Sequence, residues 1–248
     1  PIGNNSTPFS GVFDGKYHKI RHLYINRNNT NYIGLFGYVN QQGNIKNTYL
    51  EEIQIIGKWY VGGLVGYNQG SIECNCVYGN INGTDEVGGL VGDNYGVITK
   101  SYSLGSVSCY TGEIGGLVGW NNGTIVDCYS MCITEGSSYV GGLLGRNDGG
   151  SISNCFSSGA VSGSGSYIGG LNGINSGGGT ITKCYWDVEA SSQSSSAGGE
   201  GKTTSQMKQQ ATFIDWDFVN VWGIVENTTY PYLKWQYQVP DVVGLSQS

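Results

Sequence analysis

Charge is scarce in this chain, and positive charge scarcest: 12 Lys and Arg stand against 18 Asp and Glu in 248 residues, a formal net charge of −6. With no basic run, the electrostatic footprint that nucleic acid requires is missing, so no nucleic-acid partner is expected. Long apolar runs are missing too. None approaches the roughly 20 residues that cross a bilayer as a helix, which argues against membrane insertion. Histidine is limited to His18 and His22, four apart with no Glu between them. A zinc site needs more ligands than that, and no metal or cofactor is expected. No signal peptide is present. The chain opens at Pro1 in what reads as the middle of a coil, so its start is expected to have been cut away, and the missing leader is silent about secretion.

Glycine, Asn, Ser and Thr fill the space that charge leaves. Gly reaches 43 residues, far above the usual share of about 7%. A disordered chain of this polarity would lack regular apolar positions, and these recur over residues 31–185. The seven cysteines are an odd number, so at least one is unpaired within the chain. Cys74-Asn75-Cys76 is too tight for the usual zinc pair and has no second half.

The unit that recurs is Val61-Gly62-Gly63-Leu64-Val65-Gly66-Tyr67-Asn68. Its leucine returns as Leu35, Leu64, Leu90, Leu117, Leu143 and Leu171, in steps of 29, 26, 27, 26 and 28 residues. A period in this range is the signature of a solenoid. Each copy offers three short strands joined by Gly, Asn and Ser turns. Strands so short must pair with the same strand one turn above and below, about 4.8 Å away, which makes them parallel. The expected fold is all-β: a right-handed parallel β-helix of about six coils, roughly 29 Å long before caps.

Stacking turns sequence repeats into columns. Leu64, Leu90, Leu117, Leu143 and Leu171 form an expected interior ladder. Val61 and Leu64 are three apart, so a kink at the Gly pair is needed for both to point inward. Asn68, Asn94, Asn121, Asn147 and Asn175 form a second column, expected to be structural because Asn amides bond from coil to coil. Cys128, Cys155 and Cys184 form a third, read as a buried ladder of small apolar side chains. Tyr102, Tyr129, Phe156 and Tyr185 form a fourth. Two residues before them stand Lys100, Asp127, Asn154 and Lys183, so alternation puts these rings on the polar, outward face. They are candidates for a glycan- or protein-binding stripe, with an intramolecular stacking ladder as the plainer alternative.

Residues 1–30 read as an atypical first coil and 31–185 as the repeat solenoid. In 186–236, Ser191 to Gly201 reads as a mobile loop, and Thr203 to Gln210 as one short helix with a capping hydroxyl. Phe213, Trp216, Phe218, Trp222, Tyr230, Tyr232 and Trp235 follow. This aromatic cluster is the expected C-terminal cap, a lid on the last coil. Residues 237–248 read as an extended tail or linker.

Gly62-Gly63-Leu64-Val65-Gly66 with Asn68 and Gly70, and its in-phase copies, resembles the GLUG repeat found in large secreted or surface-anchored bacterial proteins. Val239-Pro240-Asp241-Val242-Val243-Gly244-Leu245 is similar to the opening of a PASTA module. The resemblance implies an extracellular or cell-surface location and a non-catalytic role for the repeats. Catalytic β-helices need clustered carboxylates with a base or calcium. Here Asp93 shares a column with Tyr67, Trp120 and Arg146, and no two acids are expected to stack on adjacent coils beside an Arg or Lys. No catalytic residue is assigned. The expected function is a structural or adhesive β-solenoid, with partners drawn from other surface proteins, glycans or a second copy. The alternatives are a protomer of a head-to-tail filament, and a carbohydrate-binding or carbohydrate-cleaving β-helix.

Overall fold

The computed structural model describes residues 1–238, with side chains through residue 236. The tail and the PASTA-like Val239–Leu245 stretch lie outside the described residues, apart from the first two positions of the tail. The described chain is an all-β parallel β-solenoid of about six turns. No described helix is long and apolar enough to cross a membrane.

Each turn has four walls, one more than the repeat suggested. The Asn wall stacks Phe36–Val39, Val65–Asn68, Val91–Asn94, Val118–Asn121, Leu144–Asp148 and Asn172–Ser176. The Ile wall holds seven three-residue strands, from Val12–Asp14 to Thr180–Thr182, with Ile45, Ile72, Ile98, Ile125 and Ile152 buried in line. The long wall contains Tyr49–Ile56, Cys76–Gly83 and Tyr102–Cys109 and is split in two in later turns. The Gly wall stacks Trp59–Gly62, Asp85–Gly88, Glu113–Gly115, Tyr139–Gly141 and Tyr167–Gly169. All of these pairings are parallel, and like residues lie in register, as in Ile98↔Ile125 and Val87↔Ile114, with one shift at Glu52, where Tyr78 faces Glu51 and Gly79 faces Ile53.

The extra wall comes from the Gly pair. It bends the chain so sharply that a Cβ on Gly88 would overlap the Val91 carbonyl oxygen. The bend lets Val61, Leu64 and Val65 all face the core with no exposure. The leucines lie on one axis: Leu64 N–H donates to Leu90 C=O at 3.0 Å, Leu90 to Leu117 at 2.9 Å, and Leu117 to Leu143 at 2.9 Å. A second corner, between the Ile and long walls, uses a left-handed residue in every turn: Asn47, Cys74, Lys100, Asp127, Asn154 and Lys183, with φ between 46° and 56°. Asn and Asp tolerate this region best. It lets Ile125 and Cys128, three apart, both point inward.

The expectations for the C-terminal part change most. The Ser/Gly loop, read as mobile, is hydrogen-bonded onto the solenoid and closes the last turn. Ser196 Oγ accepts from the Leu171 and Asn172 N–H groups, Gly170 N–H donates to Ser195 C=O, and Glu200–Lys202 adds a strand to Tyr185–Asp187. Two helices appear where one was expected: α1 (Val188–Ser191), capped by Asp187, and α2 (Thr204–Met207), whose Thr203 and Gln206 form a capping box. The aromatic cluster is not a lid on the end. It runs back along the flank, from Trp216 beside Lys183 to Trp235 beside Lys100.

Candidate functional site

The aromatic column stands outside the solenoid core, but it is not a free surface. Tyr102 and Tyr129 stack at 4.7 Å and Tyr129 and Phe156 at 5.0 Å, nearly parallel. Tyr102, Tyr129, Phe156 and Tyr185 are at most 4% exposed, because Met207, Phe213, Trp216, Trp222, Leu233 and Trp235 cover them. This corrects the reading of these four residues as a ligand-binding stripe. Outward aromatic faces cost free energy when wet, and the chain supplies its own cover.

The cover is pinned at the left-handed corners. Trp216, Trp222 and Trp235 donate their indole N–H groups to Lys183 C=O (3.0 Å), Asp127 Oδ1 (3.2 Å) and Lys100 C=O (2.8 Å). Gln236 donates to the Tyr129 hydroxyl at 2.8 Å, and Lys183 pairs with Asp215 at 3.1 Å. Cys76 interrupts the column, and the Tyr102 hydroxyl spans the gap to Tyr49 at 3.0 Å.

The Asn column is a buried amide chain. Asn68 Nδ2 donates to Asn94 Oδ1, Asn94 to Asn121, Asn121 to Asn147, and Asn147 to Asn175, each at 2.8 Å. The first four are fully buried and Asn175 is exposed at the end. In the cysteine column, the Cys128 N–H points at Cys155 Sγ (3.4 Å), and the Cys128 thiol donates to Val126 C=O (3.2 Å). All seven cysteines are free thiols. Burial pushes Cys76 and Cys109 up to about 12 and Cys132 up to about 11, so none of these three is a thiolate nucleophile at neutral pH.

A further cluster lies where the outer faces of the Gly and Asn walls meet across the Gly-pair bend. Level by level, the two columns present Tyr32 and Tyr38, Tyr60 and Tyr67, Glu86 and Asp93, Glu113 and Trp120, then Tyr139 and Arg146. Tyr38 and Tyr67 stack at 4.6 Å and Tyr32 and Tyr60 at 4.8 Å, while Tyr60 meets Tyr67 edge-on at 5.9 Å. Arg146 lies over the Trp120 ring at 4.7 Å and 3.7 Å from Glu113. The acids are deeply covered: Asp93 is 3% exposed and Glu86 8%, and Asp93 Oδ1 has no hydrogen-bond partner among the described residues. Burial, with Asp93 nearby, pushes Glu86 up to about 8. Burial, with Glu113 nearby, pushes Asp93 up to about 7.

Two acids, Glu86 and Glu113, therefore do stack on adjacent turns, with Arg146 beside Glu113, against the expectation. The signal was in the repeat, since the residue before each Val/Ile-Gly-Gly reads Tyr60, Glu86, Glu113, Tyr139 and Tyr167. Elsewhere, His22 sits 3.3 Å from Glu52. Among the described residues, no three His, Cys, Asp or Glu side chains are grouped to hold a metal.

Comparison with known proteins picks out the same unit. The chain carries the GLUG motif: that family's model matches residues 136–162, one full circuit of the four walls. A protein provisionally named Gly-rich membrane protein, from Evansella cellulosilytica, is 32% identical over 113 residues, covering 42% of this chain and 13% of the relative. Halomucin from Haloquadratum walsbyi is 35% identical over 88 residues, covering 35% of this chain and 1% of the relative. The chain thus spans a small part of either relative's length. A solved structure provisionally named immunoglobulin A1 protease, from Bacteroides ovatus, superposes with a TM-score of 0.70 over 90% of this chain and 77% of that one. At 22% identity, that likeness concerns the fold.

Proposed function

We propose that this GLUG-repeat solenoid is a non-catalytic structural and adhesive module of a larger extracellular surface protein. The observation that carries the reading is the unbroken amide chain from Asn68 to Asn175. Five turns are tied along the axis by side chains as well as by backbone, which suits a stiff spacer. The relatives, one named as a membrane protein and one as halomucin, support a surface location. The seam acids support this reading over a catalytic one, because they are buried and a general acid must reach its substrate.

A second reading, head-to-tail assembly, is favoured by one feature. Among the described residues, Val12–Asp14 and Thr180–Thr182 are the outermost strands of the same wall, each with a single neighbour. Such edges invite another parallel strand. Sedimentation velocity with negative-stain imaging separates the two: short monodisperse rods fit the spacer, and concentration-dependent filaments fit assembly. Turnover of a polysaccharide or peptide that Glu86→Gln abolishes would replace both with a catalytic function.

A further inference from the structure

The long wall carries a feature that neither the aromatic column nor the seam uses. Its outer face presents two parallel rows of neutral hydrogen-bonding side chains. Gln54, Asn80 and Ser106 are axial neighbours in one row, and Asn82 and Ser108 in the next. Over them lies a cavity of about 460 Å³, joined to a second of about 330 Å³ that shares Asn82, Ser108 and Tyr110. Both volumes fall in the range of small-ligand sites. Tyr110 stands between them and is 71% exposed.

The chemistry of the lining narrows the occupant. Ser106 donates to Asn80 Oδ1 at 2.7 Å and Asn82 Nδ2 donates to Ser108 Oγ at 2.7 Å. That leaves the Asn80 amide N–H groups, the Asn82 amide oxygen and the Gln54 amide facing outward, a mixture of donors and acceptors. No Lys, Arg, Asp or Glu lines the larger cavity, and the smaller has only Glu135. An anionic polymer would find no counter-charge there. A peptide strand needs a sheet edge, and this is a sheet face. Hydroxyl groups both donate and accept, and the face of a sugar ring packs on an exposed aromatic. The rows span three turns and two turns, about 4.8 Å apart, before Ile133 and Glu135 replace them on the next turn, so a short stretch of a repeating polymer meets repeating partners.

We infer that the outer face of the long wall, around Asn80, Asn82 and Tyr110, is a binding groove for a neutral polysaccharide. This names the partner class of the adhesive reading and rests on it. The stiff-spacer half of that reading stands whether or not a glycan binds. The test is native affinity electrophoresis of the whole chain through gels containing dextran, galactomannan or hydroxyethyl cellulose, with hyaluronan as the charged comparison. At least one neutral polymer retards the chain and hyaluronan does not. Tyr110→Ala and Asn80→Ala, both at exposed positions, each weaken the retardation at least ten-fold while the thermal midpoint holds. Retardation by none of the neutral polymers overturns the groove. So does equal retardation by hyaluronan, or retardation that both variants leave unchanged.

Discussion

Trp235 donates its indole N–H to the Lys100 carbonyl at 2.8 Å, across 135 residues of sequence. Lys100 sits in a left-handed corner, with φ of 46°. Three such corners receive a tryptophan from the flanking segment, so the cover is fastened turn by turn rather than resting on one end. Trp222 is fully buried against Tyr129 and Phe156. Trp222→Ala removes that packing, and a loss of about 3–5 kcal/mol is expected in chemical denaturation. The same variant uncovers the ring column, so binding of a hydrophobic dye to the native state rises. A loss below about 1 kcal/mol would mean the segment is not docked.

The amide chain makes a position-dependent prediction. Asn121→Ala leaves Asn94 Nδ2 without its acceptor and Asn147 Oδ1 without its donor, both buried. The cost is about 1–3 kcal/mol for each group left unpaired. Asn175→Ala at the exposed end takes the acceptor from one part-buried Asn147 amide N–H and the donor from the exposed Gly179 carbonyl, where water reaches more readily, so a smaller cost than that of Asn121→Ala is expected. Denaturation midpoints of the two variants, measured side by side, check the order.

The seam acids give a pH dependence with a definite sign. Glu86 and Asp93 rise in the folded state from 4.5 and 3.8 to about 8 and about 7, mainly through burial. Asp85, Glu113, Arg146 and the rings of Tyr32, Tyr60 and Tyr67 share their surroundings, and Arg146 pairs with Glu113. A raised acid binds its proton more tightly when folded. Its contribution is fully present below about pH 4 and is lost as pH climbs, until both groups ionise in the folded state near pH 8. Glu86→Gln and Asp93→Asn remove that decline. They therefore raise the thermal midpoint relative to the parent at pH 8, and the difference shrinks toward pH 4. Each 1 kcal/mol recovered raises the midpoint by about 2–4 °C in a chain of this size. A difference independent of pH would contradict the buried carboxyl pair.

Six of the seven thiols are buried, and Cys74 is half-buried with its thiol pushed up to about 11. In the native state, at most Cys74 should react with an aromatic disulfide reagent at pH 8, and slowly. All seven react after denaturation. Rapid modification of more than one thiol in the folded chain would show that the Cys128–Cys155–Cys184 column is open to solvent.

Which parts were legible in advance follows from what repeats. The leucine, Asn, Ile and ring columns could be read because stacking puts like on like at every 26–29 residues. That Tyr102 and its neighbours leave the core could also be read, from the polar residues before them. That they are covered could not, because Phe213, Trp216, Trp222 and Trp235 follow no coil period, and only the fold decides whether such a segment lies on an end or along a side. The pairing of Glu86 with Glu113 was present in the repeat. Their approach to Asp93 and Arg146 was not, since it depends on how sharply the Gly pair bends two walls together.

In-register stacking is tested most directly by cross-linking on the Ile wall. Val97 and Thr124 are register partners on adjacent turns, and Val97 and Ser151 are two turns apart. Adjacent Cα atoms about 4.8 Å apart suit a disulfide, and atoms about twice as far apart do not. With Val97→Cys and Thr124→Cys together, mild oxidation should give a 97–124 bridge in non-reducing mass spectrometry, and with Val97→Cys and Ser151→Cys it should give none. A bridge in the second pair and not the first would contradict the parallel stack on which everything else is built.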